Sequence, residues 1–227
     1  MVDLWKPRTP YPYEVMRIHS EKGLLYGILW HAPHARGTVL YSHGNGENIE
    51  ISQKFVPQFI NRGYNVLIWD YRGYGLSTGE LSGQENILAD AESVYLWLSN
   101  RKDAGNIVFY GFSLGSGFSV YLANKHPGHK LLLEAAYDSL TSVAQEHYPM
   151  FPVTLILKYP MPSVEWVKNI PTKIYLIHGA EDLVIPIDHP KALAKAAPNA
   201  SLTTIKGFGH NGLSYTPQYA EWLTNAL

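Results

Sequence analysis

IVFYGFSLG, residues 107–115, is an apolar run that leads directly into a serine between two glycines. The apolar run predicts a buried strand, and the small residues of 116–125, which end before a His-Pro pair, predict a helix packed closely on a sheet. A chain that turns from strand to helix within two residues forces its pivot into strained backbone geometry, which flanking glycines accommodate. The stretch therefore predicts a sharp turn that holds the Ser113 hydroxyl clear of the sheet.

Outward from this turn, apolar runs alternate with amphipathic segments, with no internal repeat or low-complexity linker. This alternation predicts an α/β fold with a mainly parallel sheet, whose ligand site lies beyond the carboxyl ends of the strands. Strands are predicted at 14–19, 24–31, 38–42, 65–69, 107–110, 130–134, 173–177 and 201–205. The first two should form an antiparallel pair joined through 21–23, and the other six should be buried on both faces. Helices are predicted at about 48–61, 82–98, 114–125, 189–196 and 216–226.

Length and composition limit the class of protein. The 227 residues fit one domain, 1–227, and with 46% hydrophobic and 16% charged residues they can bury a sizeable core. A net charge of −1 offers no electrostatic case for binding nucleic acid or an anionic membrane surface. The lack of cysteine excludes disulfides, thiolate nucleophiles and cysteine-ligated metals. Without a signal-like or membrane-spanning apolar stretch, we expect a soluble cytoplasmic protein, monomeric or weakly self-associating, with no stable membrane anchor.

Ser113 needs a base and an acid before its hydroxyl can act as a nucleophile. Both are available after later predicted strands: Asp182 lies in the turn HGAEDLVIP, 178–186, and His210 in the glycine-flanked loop KGFGHNG, 206–212. We predict His210 as the base that takes the serine proton and Asp182 as the acid that orients it. Asp138, which follows the strand at 130–134, is the alternative acid.

Backbone N–H groups are the predicted donors to the oxyanion. Acyl transfer builds negative charge on an oxygen, which such donors must already face. One is predicted to be the N–H of Leu114, directly after the nucleophile. The second should come from the loop SHGNGEN, 42–48, whose glycines free the backbone to turn its amides inward. We predict the N–H of Asn45 as this donor, with Gly46 as the alternative.

Five motifs together resemble the α/β-hydrolase superfamily: HGNG at 43–46, DYRGYGLS at 70–77, GFSLG at 111–115, HGAEDLVIP at 178–186 and GH at 209–210. The nearest likeness is to the serine-hydrolase branch of α/β-hydrolase domain proteins, which includes esterases, acyl-thioesterases and lysophospholipases. The order of Ser113, Asp182 and His210 along the chain is the order of that superfamily. The resemblance implies an α/β-hydrolase fold with an eight-stranded sheet, and chemistry that requires no cofactor.

In this superfamily the segment between the sixth and seventh strands usually forms a cap, which here would be short, about 139–171. The segment is rich in aromatic and aliphatic residues and has few charges. The resemblance therefore implies an apolar wall facing Ser113, in which we expect Tyr148, Phe151 and Trp166 to contact the substrate. The alternative is that these side chains only pack a helix onto the domain. The other apolar members are Met150, Leu155, Ile156, Tyr159 and Met161.

Four polar residues near strand ends have structural explanations. Asp70 and Arg72 are expected to form an internal charge pair or a turn rather than to take part in catalysis. His43 and His178 lack the spacing of metal ligands and are expected to be hydrogen-bonded framework residues. No metal site is therefore predicted.

These features together predict a hydrolase that cleaves small-molecule carboxylic esters or thioesters with an apolar acyl group through an acyl-enzyme. Two alternatives stay open. One is a serine aminopeptidase-like peptidase, which would share the order of the three residues but usually carries extra peptide-selecting domains. The other is a ligand-binding scaffold without activity.

Overall fold

The computed structural model describes residues 6–20 and 23–227. The strands are β1 (Tyr13–Ser20), β2 (Gly23–Trp30), β3 (Gly37–Ser42), β4 (Tyr64–Trp69), β5 (Asn106–Phe112), β6 (Lys130–Glu134), β7 (Ile174–Gly179) and β8 (Ala200–Ile205). The helices are α1 (Ile49–Ser52), α2 (Val56–Ile60), α3 (Gln84–Ser99), α4 (Leu114–Lys125), α5 (Leu140–His147), α6 (Val153–Ile156), α7 (Ser163–Trp166), α8 (Asp188–Ala196) and α9 (Pro217–Ala226).

The strands form an eight-stranded sheet in the order β1-β2-β4-β3-β5-β6-β7-β8. β2 pairs antiparallel with β1 and with β4, and the remaining neighbours pair parallel. The predicted α/β class and mainly parallel eight-stranded sheet are therefore confirmed. The predicted connection between the first two strands includes Glu21 and Lys22, which lie outside the described residues.

Helices cover both faces of the sheet. On one face, α3, α4 and α8 pack over a core that includes Phe109 and Phe118. On the other face, α1, α2 and α9 pack over a core that includes Phe59, Tyr110 and Trp222. Because both faces are covered, central strands such as β3 and β4 are buried at every position and read as continuous apolar runs.

One strand prediction and one helix prediction need correction. The expected burial of 201–205 on both faces is wrong, because β8 is the edge strand and only Ile205 in it is buried. The single helix expected at 48–61 is instead α1, a 3₁₀ turn at Gln53–Phe55 and α2. Pro57 lies at the start of α2. Proline has no N–H to donate, which is tolerated in the first turn of a helix but would interrupt the interior of a single helix over 48–61.

The segment between β6 and β7 contains α5, α6 and α7, which the sequence pattern did not predict. Ser139 caps the N-terminus of α5, because its hydroxyl accepts a hydrogen bond of 3.0 Å from the Ser142 N–H. Further along, the N–H of Met161 donates to the Gln84 side chain of α3 at 2.6 Å. The second bond ties the segment to α3, one of the helices that cover the sheet.

The glycine-rich segment after β4 combines a turn with a buried ion pair. The Asp70 carboxylate accepts backbone N–H bonds from Ile49 at 2.9 Å and Leu76 at 3.1 Å. Arg72 pairs with Asp90 of α3 rather than with Asp70, through its Nε and through Nη2 at 2.7 Å. Both side chains of the pair are at least 95% buried, with exposed fractions of 5% and 3%. Asp70 thus stabilises the turn and Arg72 forms the internal charge pair, but its partner is Asp90 and not Asp70.

Replacing Asp90 should destabilise the fold through this pair. Asp90→Ala removes the carboxylate that faces a buried guanidinium, so we expect a loss of about 3 kcal/mol in the free energy of unfolding. Asp103→Ala is the matched control, because Asp103 pairs with Arg101 at the surface and should cost less than about 1 kcal/mol. Urea unfolding of both variants measures the difference, and equal losses would contradict the interpretation.

Candidate active site

Ser113 lies in a sharp turn between β5 and α4. Its backbone has φ 51° and ψ −118°, a left-handed conformation that a residue with a side chain rarely adopts. A Cβ on Gly111 would lie 2.6 Å from Ser116 Cα, and one on Gly115 would lie 2.0 Å from the carbonyl oxygen of Ser42. Glycine is therefore required on both sides of the serine, because the backbone there approaches its neighbours too closely for any side chain.

His210 contacts both of its predicted partners. The Ser113 hydroxyl lies 2.9 Å from His210 Nε2, and His210 Nδ1 lies 2.7 Å from Asp182 Oδ2. With a proton on Nδ1, the ring donates to Asp182 and accepts from the serine. The three side chains follow β5, β7 and β8, so strand ends at one edge of the sheet bring together residues almost one hundred positions apart.

Asp182 is held as a carboxylate. Its other oxygen accepts hydrogen bonds of 2.9 Å from the N–H groups of Val184 and Ile185. Burial alone would raise the pKa of the Asp182 carboxyl, but the hydrogen bonds from His210 and Ile185 outweigh burial and lower the pKa below its usual value. The group can therefore carry the negative charge that an imidazolium at His210 would require.

The two predicted framework histidines are buried and hydrogen-bonded. His178 Nε2 donates to the carbonyl oxygen of Ile185 at 2.8 Å, beside Asp182, and burial lowers its pKa. His43 contacts the carbonyl oxygen of Gly44 through Nδ1 at 2.9 Å. Within residues 6–20 and 23–227, no group of His, Asp or Glu side chains has an arrangement that could hold a metal ion.

Asp138, the alternative acid, contacts a different histidine. Its Oδ1 lies 3.0 Å from Nδ1 of His189 in α8, and Nε2 of the same ring lies 3.2 Å from Glu146 in α5. Burial opposes protonation of His189, but the two carboxylates outweigh it and raise its pKa. Asp138 thus helps to join α5 to α8, while Asp182 is the acid that contacts His210.

The two predicted oxyanion donors lie beside Ser113. Leu114 is the first residue of α4, and Asn45 lies in the loop after β3. Across the described part of the chain, neither backbone N–H has a hydrogen-bond acceptor. Both residues line the same cavity as Ser113, whereas Gly46, with φ 73°, does not. An oxygen developing negative charge above Ser113 could therefore be met by backbone donors from two loops.

An apolar cavity of about 340 Å³ opens at Ser113. Tyr159 and Met161 contribute to its wall from the segment between β6 and β7. None of the described residues that line it is charged. The other lining residues are Asn45, Tyr71, Tyr74, Leu81, Ile87, Leu114, Phe118, Tyr137, Leu140, Val143, Val184 and Ile185.

The wall is built from other residues than the three expected. Tyr148 and Phe151 lie outside the cavity, in a separate open groove with Val153, because the chain turns away at the end of α5. Both are more than half exposed. Trp166 packs edge-on against Tyr121 of α4, with ring centroids 5.5 Å apart. Trp166 therefore fits the alternative, in which the side chain only packs a helix onto the domain.

Sequence reasoning missed the wall residues outside that segment. Tyr71 and Tyr74 follow β4 at the same edge of the sheet as Ser113, so their position after a strand could have identified them. Ile87 in α3 and Phe118 in α4 face the cavity from helices. Nothing in a helical pattern distinguishes an apolar residue that lines a cavity from one that fills the core.

No helix in the part of the chain that the structure describes is both long and apolar enough to cross a membrane.

Comparisons with known proteins agree with this architecture. A family model described as serine aminopeptidase, S33, matches residues 33–142. Alpha/beta hydrolase domain-containing protein 17C of Xenopus tropicalis is 31% identical over 216 residues, which are 92% of this chain and 68% of that protein. An uncharacterized protein of Mycobacterium tuberculosis is 32% identical over 201 residues, 86% of this chain and 71% of that protein. The structure of the Pyrococcus furiosus esterase Pf2001 has a TM-score of 0.74 at 18% identity, covering 99% of this chain and 92% of that chain.

A buried carboxyl group lies on Glu134, the residue of β6 whose backbone is hydrogen-bonded to Ser113. The Ser113 N–H donates to the carbonyl oxygen of Glu134 at 2.9 Å. The Glu134 side chain accepts from the Tyr110 hydroxyl, which also contacts the hydroxyl of Tyr219 at 2.7 Å. Burial raises the pKa of Glu134 to about 7, although the Tyr110 hydrogen bond opposes the shift.

Glu134 should make stability fall as the pH rises. Its folded-state pKa lies above the ordinary 4.5, so between these values the folded protein keeps a proton that the unfolded chain has released. Glu134→Gln should be close to wild type at about pH 5 and more stable by up to about 3 kcal/mol at about pH 8. Chemical unfolding across this range measures the effect.

Glu165→Gln is the matched control, because Glu165 forms an exposed pair with Lys168. It should leave the pH dependence of the wild type unchanged. If Glu134→Gln shows the same slope between these pH values as the wild-type protein, the carboxyl does not titrate as described.

Proposed function

Because the chain belongs to the α/β-hydrolase superfamily, we propose that it is a serine hydrolase that cleaves carboxylic esters or thioesters with an apolar acyl group. Membership of this family supports hydrolase activity. The observation that supports the serine-dependent step is the pair of contacts made by His210, 2.9 Å to Ser113 and 2.7 Å to Asp182. The uncharged cavity at Ser113 supports the choice of acyl group.

The proposed reaction proceeds through an acyl-enzyme. Ser113 Oγ attacks the carbonyl carbon while His210 Nε2 takes the hydroxyl proton, and Asp182 stabilises the resulting imidazolium. The N–H groups of Asn45 and Leu114 donate to the oxyanion of the tetrahedral intermediate. His210 then protonates the leaving alcohol or thiol, and the acyl group remains on the serine. A water deprotonated by His210 releases the acid and restores the enzyme.

The size of the cavity favours a medium-length acyl chain. Its volume of about 340 Å³ corresponds to about ten water-sized groups at about 30 Å³ each. Each buried methylene contributes about 0.8 kcal/mol of transfer free energy, so chains that fill the cavity should react best.

Peptidase activity is the second candidate, because the matching family model is described as a serine aminopeptidase. An aminopeptidase must hold the ammonium group of its substrate, and a buried charge needs a charged or strongly polar partner. The described residues that line the cavity include no carboxylate. A comparison of p-nitrophenyl esters with amino-acid 4-nitroanilides decides between the two activities, and faster cleavage of the anilides would favour the peptidase.

Replacing Ser113 should abolish turnover. Ser113→Ala removes the nucleophile, so we expect kcat for a p-nitrophenyl ester to fall at least about a thousandfold. The wild-type protein should also be labelled by a fluorophosphonate probe, and the variant should not. Absence of labelling and of ester hydrolysis in the folded wild-type protein would favour the inactive scaffold.

Ser119→Ala is the matched control for this experiment. Ser119 is a buried serine of α4 whose hydroxyl has no hydrogen-bond partner among the described residues, and it does not line the cavity. It should keep both labelling and turnover. Ester hydrolysis that survives in Ser113→Ala, in a preparation free of other esterases, would disprove the role of Ser113.

Met161 should limit the length of the acyl chain. Its buried side chain lines the cavity and packs near Gly117 of α4. Met161→Ala removes about three non-hydrogen atoms, so the preferred p-nitrophenyl ester should lengthen by about two or three methylenes. Phe151→Ala, outside the cavity, should leave the preference unchanged. An unchanged preference in Met161→Ala, or a shift in Phe151→Ala alone, would contradict the assignment.

A further inference from the structure

The loop that supplies Asn45 is hydrogen-bonded around that residue: the Gly44 N–H donates to Glu47 Oε2 and the Glu47 N–H donates to the Gly44 carbonyl oxygen, both at 3.3 Å. The loop joins β3 to α1, and Asn45 itself is exposed. Gly44 and Gly46 flank it, and Gly46 has φ 73°, a conformation that glycine adopts without strain. The side chain of Asn45 makes one described hydrogen bond, in which Oδ1 accepts from the Tyr74 hydroxyl at 2.7 Å. Among the described residues, Tyr74 is therefore the side chain bonded to Asn45 itself, which lies between Gly44 and Glu47.

Tyr74 is itself held in a rigid aromatic cluster. Its ring lies 5.4 Å from that of Tyr71 in an edge-on arrangement and 5.6 Å from that of His43. The Tyr71 ring stacks on His43 at 4.2 Å, and its hydroxyl donates to the carbonyl oxygen of His43 at 2.6 Å. The Tyr74 N–H also donates to the carbonyl oxygen of Tyr71 at 2.9 Å. The segment after β4 thus holds the loop after β3 at two points, His43 and Asn45.

We propose that Tyr74 is a positioning residue that keeps the Asn45 N–H directed at the oxyanion, acting through its hydrogen bond to Asn45 Oδ1. This role rests on the proposed function. Oxyanion donors lower the barrier because they are already oriented when the charge develops. A displacement of about 1 Å at such a donor can cost about a hundredfold in rate. The bonds between Gly44 and Glu47 do not include Asn45, so its orientation depends on this contact from outside the loop.

The hydroxyl of Tyr74 is suited to this task. It is engaged with Asn45, and burial raises the pKa of Tyr74, so the hydroxyl keeps its proton and remains a donor. Tyr74 and Asn45 both line the cavity at Ser113, so their hydrogen bond lies at the cavity in which the reacting carbonyl would bind.

Tyr74→Phe tests the role while retaining the ring and its packing. The oxyanion is stabilised in the transition state and not in the bound substrate, so kcat should fall about tenfold while KM stays within about twofold. The measurement is steady-state hydrolysis of the p-nitrophenyl ester that the wild-type protein prefers. Tyr95→Phe is the matched control, because the Tyr95 hydroxyl contacts His129 at 3.1 Å, away from the cavity, and should leave both constants unchanged.

A double-mutant cycle shows whether Tyr74 acts through Asn45. Asn45→Ala removes the Oδ1 acceptor but keeps the backbone N–H, so it should lower kcat by a factor similar to that of Tyr74→Phe. If the two residues act together, adding Tyr74→Phe to Asn45→Ala should lower kcat by less than about a further twofold. A purely structural role would not produce this coupling.

Two outcomes would overturn the proposal: a Tyr74→Phe enzyme with kcat within about twofold of wild type, or the same loss of kcat in the wild-type and Asn45→Ala backgrounds. Ser113→Ala separates this failure from failure of the proposed function. If hydrolysis requires Ser113 but not the Tyr74 hydroxyl, only the positioning role is wrong. If the folded wild-type protein neither hydrolyses esters nor reacts with a fluorophosphonate, the proposed function is wrong as well.

Discussion

The backbone of Ser113, at φ 51° and ψ −118°, is the constraint on which the rest of the site depends. Such a conformation costs about 1–3 kcal/mol, so the surrounding structure must enforce it. The Ser113 N–H donates to the carbonyl oxygen of Glu134 on β6, which fastens the turn to the neighbouring strand. Gly115 lies against the carbonyl of Ser42 on β3, at the other side. The two strands that flank β5 therefore fix the backbone of the turn, and this backbone conformation directs the Ser113 hydroxyl away from the sheet.

His210 is positioned by contacts between two loops, those after β7 and β8, rather than by contacts to neighbouring strands. A Cβ on Gly179 would lie 2.3 Å from the carbonyl oxygen of Gly209, so the loop after β8 rests directly on the end of β7. The Glu181 side chain accepts from the Gly207 N–H at 2.8 Å and joins the same two loops. The position of His210 is thus set by the loop that carries Asp182. β8 is an edge strand with little burial of its own, and the contacts between the two loops fix the loop that follows it.

The sequence predicted the parts of the site that are set by local rules. Ser113, Asp182 and His210 follow apolar strands, and parallel strands end at one edge of a sheet, so their meeting could be inferred without distances. The wall of the cavity could not be inferred in this way. Whether Phe151 or Met161 faces Ser113 depends on how the chain turns after α5 and on the hydrogen bond of Met161 to α3, which no local pattern reveals. The Arg72–Asp90 pair likewise joins a loop to a helix that local rules leave unconnected.

The charged side chains and the apolar cavity lie in different parts of the site, an arrangement that suits an ester with an apolar acyl group. The Asp182 side chain is fully buried and its charge is met by His210 and two backbone N–H groups, while the described lining of the cavity has no charge. An acyl chain in that cavity would displace water and strengthen the attraction between Asp182 and a protonated His210. In the proposed reaction the acyl chain would occupy one side of Ser113, so the water of the second half-reaction would arrive at His210 from elsewhere. The His210 side chain keeps 12% of its surface exposed, which leaves the imidazole open to solvent while the acyl group is shielded.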